Sequence, residues 1–453
     1  MKDKPLTIIG AGLTGSLLAI LLGKKGYNIH LYERRPDMRT TEISAGRSIN
    51  LAISTRGIDA LKAAGVEEIV MKHAIPMTGR QIHARNGNQS FQAYGRNDSF
   101  FINSISRSLL NSELMTAAEA TGNVTIDFDH SIEDYNPESH TLTISHKGHS
   151  IKKTIAGPLF GSDGSASALR DSFPRHINFE MAKDELTHGY KELTIPPGPN
   201  GKLQMKGDAL HIWPRRDFMM IALPNPDGTF TVTLFLPYEG ENSFEKIQNK
   251  DDLLDFFKNE FPDAIPLMPS LTEDFFENPL GRLATVRCFP WSIEDKVLLL
   301  GDAAHAIVPF YGQGMNAGFE SCIELIHLMD KHSDWMDVFR GFENTRKKNT
   351  DAIASLALQN FVEMRDHVGD SHFLLKKEIS HWLERQFPEQ YLSQYTLVSF
   401  SNTPYSTALN LGPLQDKLLS ALAEGVTKAD QIDPAKAKQL LDGYVRESKS
   451  LLK

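Results

Sequence analysis

The sequence predicts a mixed α/β fold with α+β elements: a strand–helix domain that is discontinuous in sequence, an antiparallel β-sheet domain and a helical C-terminal layer. Three observations predict this architecture. A strand–turn–helix–strand pattern begins at Leu6, short β-type runs dominate from about Thr187 to Pro237, and helix-forming residues dominate from Trp335 onward. At 453 residues the chain is too long for one simple core, so two or three packed subdomains are expected.

The first domain is predicted from a βαβ unit at the start of the chain. Residues 6–9 predict a buried strand, a helix extends to about Lys25, and residues 28–32 predict a second strand that ends at Glu33. This order of elements is that of a Rossmann-like domain. The predicted boundaries are residues 1–75, 100–180 and 281–330 for this domain, 76–99 and 181–280 for the β-sheet domain, and 331–453 for the helical region.

Turn signals divide the rest of the chain into further elements. Near the middle, turns that contain Pro and Gly separate β-forming runs, which predicts an antiparallel sheet with strands at 210–213, 218–223 and 229–236. The apolar run 296–300 predicts a buried strand that leads through Gly301 and Asp302 into a long helical pattern. Farther on, Pro388 and Pro404 predict breaks between C-terminal helices.

Composition disfavours several classes of function. The formal net charge of -9 argues against a nucleic-acid partner, because phosphate neutralisation needs concentrated Lys and Arg. Cys288 and Cys322 form no CxxC or metal-spaced set, so no disulfide framework is expected and a reducing, cytoplasmic compartment is predicted. The 16 histidines show no HxxxH or HExxH spacing, and no metal site is predicted.

The apolar run 6–22 has only a superficial similarity to a signal peptide or a membrane span. Gly10, Gly12 and Gly15 interrupt it, so a buried strand, a tight turn and a buried helix explain the run better. No other run approaches the roughly 20 apolar residues that a spanning helix needs. We therefore predict no membrane anchor.

The pattern Gly10-x-Gly12-x-x-Gly15 predicts a binding site for a dinucleotide. Glycines permit a tight strand-to-helix turn and the close approach of a pyrophosphate to the helix N-terminus. Glu33, at the end of the next strand, is placed to accept hydrogen bonds from ribose hydroxyls. The glycine pattern alone is weak evidence, and the flanking strands, the helix and Glu33 strengthen it. It does not distinguish a flavin dinucleotide from a nicotinamide dinucleotide.

Two later motifs favour the flavin. Asp163-Gly164 opens a DGxxSxxR pattern that ends at Arg170, and Gly301-Asp302 is followed by Pro309 and by residues 312–316. In this order the motifs resemble those of the single-component FAD-dependent aromatic hydroxylases. Physically, Asp302 can hold ribityl hydroxyls, and a helix opened by residues 312–316 can present backbone N–H groups to the electron-rich end of the flavin ring. No second GxGxxG is present for NADPH, which in this family visits transiently.

Within that family the chain resembles the kynurenine-hydroxylating branch and not the phenol or hydroxybenzoate hydroxylases. The resemblance covers nearly the whole chain and thins after about Tyr405. It rests on residues 46–52 with Arg56-Gly57, on 79–83, Tyr94-Gly95, 104–107, 211–215, 218–225, 360–365 and 395–400.

The resemblance implies roles for particular residues. In the family an Arg and three polar partners hold the amino-acid end of the substrate, and these fall on Arg80, Tyr94, Asn360 and Tyr395. An Arg fork suits a carboxylate because it can bind both oxygens. A wall between substrate and flavin is expected from Pro309, Phe310, Tyr311 and Glu363. FAD is expected to contact Gly10, Gly12, Leu13, Thr14, Gly15, Tyr32, Glu33, Arg34, Arg35, Ala52, Arg107, Ile132, Asp163, Asp302, Gly312, Gly314, Met315 and Asn316.

Two histidines in these motifs are given no catalytic role. His83 and His305 are predicted to be buried and hydrogen-bonded.

The resemblance implies NADPH- and FAD-dependent hydroxylation of L-kynurenine by O2 to 3-hydroxy-L-kynurenine, through a flavin C4a-hydroperoxide, in tryptophan catabolism. Two alternatives stay open. One is a flavin hydroxylase of another amino-aromatic acid, such as an anthranilate- or quinolone-like acid. The other is a non-catalytic flavin redox sensor, which would turn over no NADPH with any aromatic acid. A nicotinamide-dependent dehydrogenase is disfavoured by the motifs at Asp163 and Asp302.

Overall fold

A computed structural model describes residues 4–40, 50–95, 100–364 and 371–451. The chain divides into two compact units. Unit 1 comprises Met1–Ala74, Ile105–Leu186 and Leu283–Ala354, and unit 2 comprises Ile75–Ser104, Thr187–Arg282 and Ser355–Lys453. Residues 46–49 and Arg365, which contribute to the family resemblance, lie outside the described residues.

The described segments contain nineteen strands. In chain order they are β1 (Leu6–Ile9), β2 (Ile29–Tyr32), β3 (Asn50–Ile53), β4 (Ile75–Met77), β5 (Gly79–His83), β6 (Gln89–Ala93), β7 (Ile102–Ser106), β8 (Val124–Asp127), β9 (His130–Asn136), β10 (Thr141–His146), β11 (His149–Thr154), β12 (Leu159–Gly161), β13 (Glu180–Ile195), β14 (Ala209–Arg215), β15 (Phe218–Pro224), β16 (Phe230–Pro237), β17 (Gly281–Phe289), β18 (Ser292–Ile293) and β19 (Val297–Leu299).

The same segments contain fourteen α-helices, besides short 3₁₀ turns. They are α1 (Leu13–Lys24), α2 (Thr55–Ala64), α3 (Glu67–Met71), α4 (Arg107–Glu119), α5 (Ala168–Ser172), α6 (Lys250–Glu260), α7 (Leu271–Glu277), α8 (Asp302–His305), α9 (Gly314–Lys331), α10 (Trp335–Val362), α11 (Ser371–Gln386), α12 (Gln394–Ser399), α13 (Tyr405–Ala423) and α14 (Pro434–Leu451).

Unit 1 is organised around a sheet with the strand order β18-β19-β12-β1-β2-β8. β1 pairs in parallel with both β2 and β12, and α1 connects β1 to β2, as the βαβ pattern predicts. The predicted mixed α/β fold class is confirmed. Most of α1 is buried, so the apolar run at the start of the chain forms a strand and a helix of the core. Among the described helices, none combines the length and the apolar character needed to cross a membrane.

Unit 2 contains a sheet with neighbouring strands in the order β13-β16-β15-β14-β5-β6. The pairs from β13 to β14 are antiparallel, as predicted, but β14 and β5 are parallel, with Ala209 opposite Gly79. The antiparallel sheet predicted from residues 210–236 is therefore confirmed, and β5, from an earlier segment, extends it by a parallel pair. A hairpin forces neighbouring strands to be antiparallel, whereas β5 and β14 are far apart in sequence and no tight turn sets their direction.

Helices dominate the C-terminal part of unit 2. The breaks predicted at Pro388 and Pro404 are found, because α11 ends at Gln386 and α13 begins at Tyr405. The long helical pattern expected after Asp302 is interrupted, and its main helix begins within residues 312–316, where the sequence predicts a helix to open. α8 has only four residues, and α9 begins at Gly314 after a 3₁₀ turn at Pro309–Tyr311. Gly312 has a φ of 67°, a left-handed conformation that interrupts helical geometry.

Candidate active site

The glycine-rich turn between β1 and α1 is closed on two sides and open on the third. Gly10 has a φ of 95°, which favours glycine. A Cβ on Gly15 would lie 2.0 Å from the Gly10 carbonyl oxygen, so the helix start can pack there only without a side chain. A Cβ on Gly12 would meet no atom within 4 Å. The turn therefore presents an open face at Gly12, beside the first N–H groups of α1, where a phosphate can approach.

The carboxylate of Glu33 is buried and bound to the same turn. Its Oε2 accepts the Ala11 N–H at 2.9 Å, and its Oε1 accepts the backbone N–H of Arg35 at 3.0 Å and the Arg35 Nε–H at 2.8 Å. A carboxylate has about four acceptor positions, so it retains capacity for ribose hydroxyls. The Arg34 side chain is exposed, while Tyr32 is buried with its hydroxyl bonded to Lys153.

The two motifs that favour the flavin meet in space. Arg170, at the end of the first motif, donates through Nη1 to the Ala303 carbonyl at 3.2 Å, within the second motif. Asp163 Oδ2 accepts the Leu169 N–H at 3.2 Å, whereas its buried Oδ1 has no hydrogen-bond partner among the described residues. Burial raises the pKa of the Asp163 carboxyl. An unpartnered acceptor beside Gly10 fits a site built for a ligand.

Asp302 begins α8 directly after Gly301, whose φ is 60°. Its side chain is exposed to solvent on one side yet closely surrounded by protein on the others. Desolvation therefore raises the pKa of the Asp302 carboxyl, and the charge of Arg107 opposes that rise. A Cβ on Gly301 would lie 2.9 Å from Thr14 Oγ1, which places the start of α1 against this motif.

Asn316 fastens the start of α9 to β3. Its Nδ2 donates to the Ala52 and Gly312 carbonyls at 2.9 Å each, and its Oδ1 accepts the Ser54 N–H at 3.0 Å. The Asn316 side chain is fully buried, and both its amide nitrogen and its amide oxygen are hydrogen-bonded to protein backbone. The groups of α9 that can bind a cofactor at this end are therefore its first backbone N–H groups, from Gly314 onward.

All eighteen residues that the sequence assigns to FAD fall in unit 1. The open glycine turn, the carboxylate of Glu33, the free acceptor of Asp163 and the N-terminus of α9 each suit one part of such a group. Leu13 and Ile132 belong to the apolar core, and Met315 packs against it. In the turn before α9, Phe310 is buried, Tyr311 half-buried and Pro309 exposed.

The five remaining predicted site residues lie in unit 2. The guanidinium carbon of Arg80 lies 4.8 Å from the ring centre of Tyr395 and 5.6 Å from that of Tyr94. The two rings stack 5.5 Å apart at an interplanar angle of 14°. Arg80 Nε and Tyr94 Oη are buried and have no hydrogen-bond partner within the described part of the chain. Burial raises the pKa of Tyr94, so its hydroxyl stays protonated and can donate.

A small cavity of about 20 Å³ opens beside Arg80. Its polar lining consists of Arg80, Gln92, Glu363 and Lys377, and its apolar lining of Ile82, Ile212, Met364, Phe373 and Leu374. Asn360 is 5% exposed, and its Nδ2 lies 3.4 Å from the sulfur of Met364. The structure thus brings Arg80, Tyr94, Tyr395 and Glu363 together and connects Asn360 to the cavity through Met364.

Lys377 was missed by the sequence prediction. Its Nζ lies 2.5 Å from Glu363 Oε1, inside the cavity lining. In the sequence it follows Lys376 in an amphipathic helical stretch, where adjacent lysines are typical of the solvated face. The signal that finds it is spatial, namely its pairing with Glu363.

The two histidines without a predicted role are both buried. His83 Nδ1 lies 2.8 Å from Asp263 Oδ2 and its Nε2 lies 2.9 Å from His211 Nδ1, which agrees with the prediction. His305 is buried as predicted, but its Nε2 has no hydrogen-bond partner among the described residues. Burial lowers the pKa of His305 to about 3, and the positive charges of Arg346 and Lys347 add to the shift, so the ring is held neutral.

Comparisons with known proteins give matches over most of the chain. Residues 3–332 match the model of the FAD binding domain family. A kynurenine 3-monooxygenase of Myxococcus xanthus is 49% identical over 97% of this chain and 95% of its own length, and one of Dictyostelium discoideum is 43% identical over 99% of each. Among solved structures, 2-methyl-3-hydroxypyridine-5-carboxylic acid oxygenase has the same fold, with a TM-score of 0.67 and 20% identity over 83% of this chain and 96% of that one.

Proposed function

Because the chain belongs to the kynurenine 3-monooxygenase family of FAD-dependent monooxygenases, we propose that it hydroxylates L-kynurenine to 3-hydroxy-L-kynurenine. FAD is the bound cofactor, and NADPH and O2 are the co-substrates. One observation carries the substrate assignment. Arg80 lies against two stacked tyrosines beside a cavity, and its buried Nε has no hydrogen-bond partner among the described residues.

An amino-acid carboxylate satisfies the donors of this site. The planar fork of Arg80 can bind both carboxylate oxygens, and the free hydroxyl of Tyr94 can donate a further hydrogen bond. The rings of Tyr94 and Tyr395 supply flat apolar surfaces next to the guanidinium. Asn360 is assigned a supporting polar contact near Met364. These contacts orient the substrate through its polar end.

The flavin is assigned to unit 1. Glu33 would hold the ribose, the glycine turn and the N-terminus of α1 would hold the pyrophosphate, and Asp302 would hold the ribityl chain. The first N–H groups of α9 would stabilise negative charge on the reduced ring. Pro309, Phe310 and Tyr311 are assigned to a wall beside the ring that excludes water.

Bound FAD supplies the redox chemistry, in which electrons from NADPH activate O2 for transfer to the aromatic ring. The chain's own residues bind, orient and shield, and no side-chain nucleophile is required. This division of labour is consistent with His305, which is neutral and buried and is assigned no proton transfer.

The test is a product assay on the purified protein with L-kynurenine, NADPH and air, read by mass spectrometry. We expect 3-hydroxykynurenine, and we expect denaturation to release FAD. Anthranilate in place of kynurenine should give little product, because it lacks the amino-acid side chain that Arg80 and Tyr94 are proposed to hold. Consumption of NADPH without a hydroxylated product, or faster turnover of anthranilate, would overturn the proposal.

A further inference from the structure

The cavity beside Arg80 contains three charged side chains. Arg80 and Lys377 are cations and Glu363 is an anion. Lys377 Nζ and Glu363 Oε1 are 2.5 Å apart, and the two side chains are 34% and 33% exposed. The pair therefore faces both the cavity and water.

Lys377 occupies a confined position. Its Nζ also lies 4.8 Å from the centre of the Phe373 ring, and it is close enough to Arg80 for the two positive charges to repel. Desolvation lowers the pKa of Lys377, Glu363 opposes that shift and Arg80 adds to it, although a third of the side chain reaches solvent. The cation is thus held mainly by one carboxylate.

Little space remains around this pair. A cavity of about 20 Å³ is close to the minimum that holds one water molecule. A ligand with both a carboxylate and an ammonium group needs more room than that. The side chain best able to leave is Lys377, because a lysine stem is flexible and its exposed portion already reaches water.

We propose that Lys377 is a specificity-determining residue that occupies the ammonium position of the site: an amino-acid substrate places its carboxylate on Arg80 and its ammonium on Glu363, and Lys377 leaves Glu363 when it does. The inference rests on the proposed function, since it requires an amino-acid substrate. A lysine ammonium and an α-ammonium both offer three N–H donors to a carboxylate. One cation therefore replaces the other on Glu363.

The exchange keeps the charges of the site paired. Before binding, Glu363 pairs with Lys377 and Arg80 lacks a carboxylate partner among the ion pairs of the described residues. After binding, the zwitterion pairs with both Arg80 and Glu363, and Lys377 is solvated. Lys377 therefore weakens every ligand that needs Glu363 and leaves a ligand without an ammonium group nearly unaffected.

The experiment measures dissociation constants by isothermal titration calorimetry on the FAD-loaded protein. The two ligands are L-kynurenine and 4-(2-aminophenyl)-4-oxobutanoate, the same molecule without its α-amino group. Lys377→Met should tighten kynurenine binding about three- to tenfold, the range expected of a partly exposed ion pair, and change the deaminated ligand less than about twofold. Glu363→Gln should weaken kynurenine alone, by about tenfold or more.

Two further variants serve as controls. Lys377→Arg keeps a cation beside Glu363 and should bind both ligands within about twofold of wild type. Lys376→Met removes the neighbouring lysine of α11, which pairs with Asp416 at 2.8 Å and does not line the cavity, and should change neither constant. Thermal unfolding of each variant shows whether the fold is retained. If Lys377→Met does not fold, Lys377→Gln, which also removes the charge but keeps a polar side chain, takes its place with the same expected result.

Several outcomes overturn the exchange. If Lys377→Met weakens both ligands alike, Lys377 holds the carboxylate instead. If it changes neither ligand, the residue has no role in binding. If the wild-type protein hydroxylates kynurenine but the ratio of the dissociation constants of the two ligands is the same in every variant, the exchange is rejected and the proposed function is kept. If the wild-type protein binds kynurenine without hydroxylating it, the proposed function is rejected, and the ratio of the two dissociation constants still tests the exchange. If it does not bind kynurenine at all, both proposals are rejected.

Discussion

The site in unit 1 is built mainly from backbone, and the site in unit 2 is built from side chains. In unit 1 the turn is set by Gly10 and Gly15, and the amide of Asn316 is used internally to fix the start of α9. In unit 2 the same function of holding a ligand falls to side chains such as Arg80 and Tyr94, whose buried Nε and Oη have no hydrogen-bond partner among the described residues. In unit 1 folding and ligand binding therefore depend on the same residues, whereas in unit 2 they depend on different groups.

This difference has a physical basis. Backbone N–H groups become available to a phosphate only where the chain turns tightly, so the residues that permit the turn are also those that bind. A cation such as Arg80 binds by its own charge and reach, and the strand that carries it needs only its backbone to pair. Substitutions in the two units should therefore have different consequences.

Gly15→Ala should produce the largest effect. The new Cβ would lie 2.0 Å from the Gly10 carbonyl oxygen and 2.5 Å from Ser162 Oγ, so backbone must move. We expect a loss of about 3 kcal/mol or more in the free energy of unfolding together with loss of bound FAD. Denaturant unfolding and flavin absorbance measure both. Gly443→Ala in α14, where a Cβ meets nothing within 4 Å, is the matched control and should be neutral or slightly stabilising. Retention of FAD at wild-type stability in Gly15→Ala would contradict the tight turn.

Arg80→Ala should affect binding without affecting the fold. A charge-assisted hydrogen bond contributes about 1.5–3 kcal/mol, so the affinity for kynurenine should fall about ten- to a hundredfold or more while FAD stays bound. The KM for kynurenine at saturating NADPH and the flavin content are the measurements. Arg80→Lys keeps the charge but not the planar fork, and should lie between wild type and Arg80→Ala. A KM within about twofold of wild type would remove Arg80 from the role of carboxylate partner.

Acid should destabilise both units through one buried histidine in each. Burial lowers the pKa of His211 in unit 2 to about 4 and that of His305 in unit 1 to about 3. Both pKa values lie below the value of about 6.5 that a histidine has in the unfolded chain. The unfolded chain therefore binds more protons, and the free energy of unfolding falls as the pH drops below about 6.5. Between pH 7.5 and 5 each group should remove about 2 kcal/mol.

Denaturant unfolding at the two pH values measures this loss. His211→Asn should reduce the pH dependence by about half and leave the contribution of His305. An unchanged pH dependence in that variant would show that His211 is protonated as easily in the folded protein as in the unfolded chain.

Prediction from sequence succeeded where the determinants are contiguous. The glycines, Glu33 and the strand–helix order lie within the first 33 residues, and short-range chemistry fixes their arrangement. It failed where distant segments decide. The parallel pairing of β5 with β14, the lack of a partner for His305 Nε2 and the pairing of Lys377 with Glu363 depend on contacts between residues far apart in the chain. No local pattern encodes such contacts.

The smallest effect is expected for a single hydroxyl, and two buried tyrosines allow a matched comparison. Tyr94 in unit 2 is 4% exposed and its hydroxyl has no hydrogen-bond partner among the described residues, whereas the hydroxyl of Tyr135 in unit 1, 0% exposed, lies 2.8 Å from His140 Nδ1. Tyr135→Phe should cost about 1–3 kcal/mol of unfolding free energy, because it leaves a polar partner unsatisfied, and should leave kynurenine binding unchanged.

Tyr94→Phe should show the opposite result. The ring and its stacking on Tyr395 are kept, and the Tyr94 hydroxyl has no hydrogen bond of normal geometry among the described residues, so the free energy of unfolding should change by less than about 0.5 kcal/mol. Kynurenine affinity should fall about two- to tenfold, the effect of one neutral hydrogen bond. Denaturant unfolding and calorimetric titration on the same samples decide the matter. If Tyr94→Phe were destabilised and still bound kynurenine normally, this hydroxyl would stabilise the fold instead of binding the ligand. The side-chain site of unit 2 would then depend on the fold as the backbone site of unit 1 does.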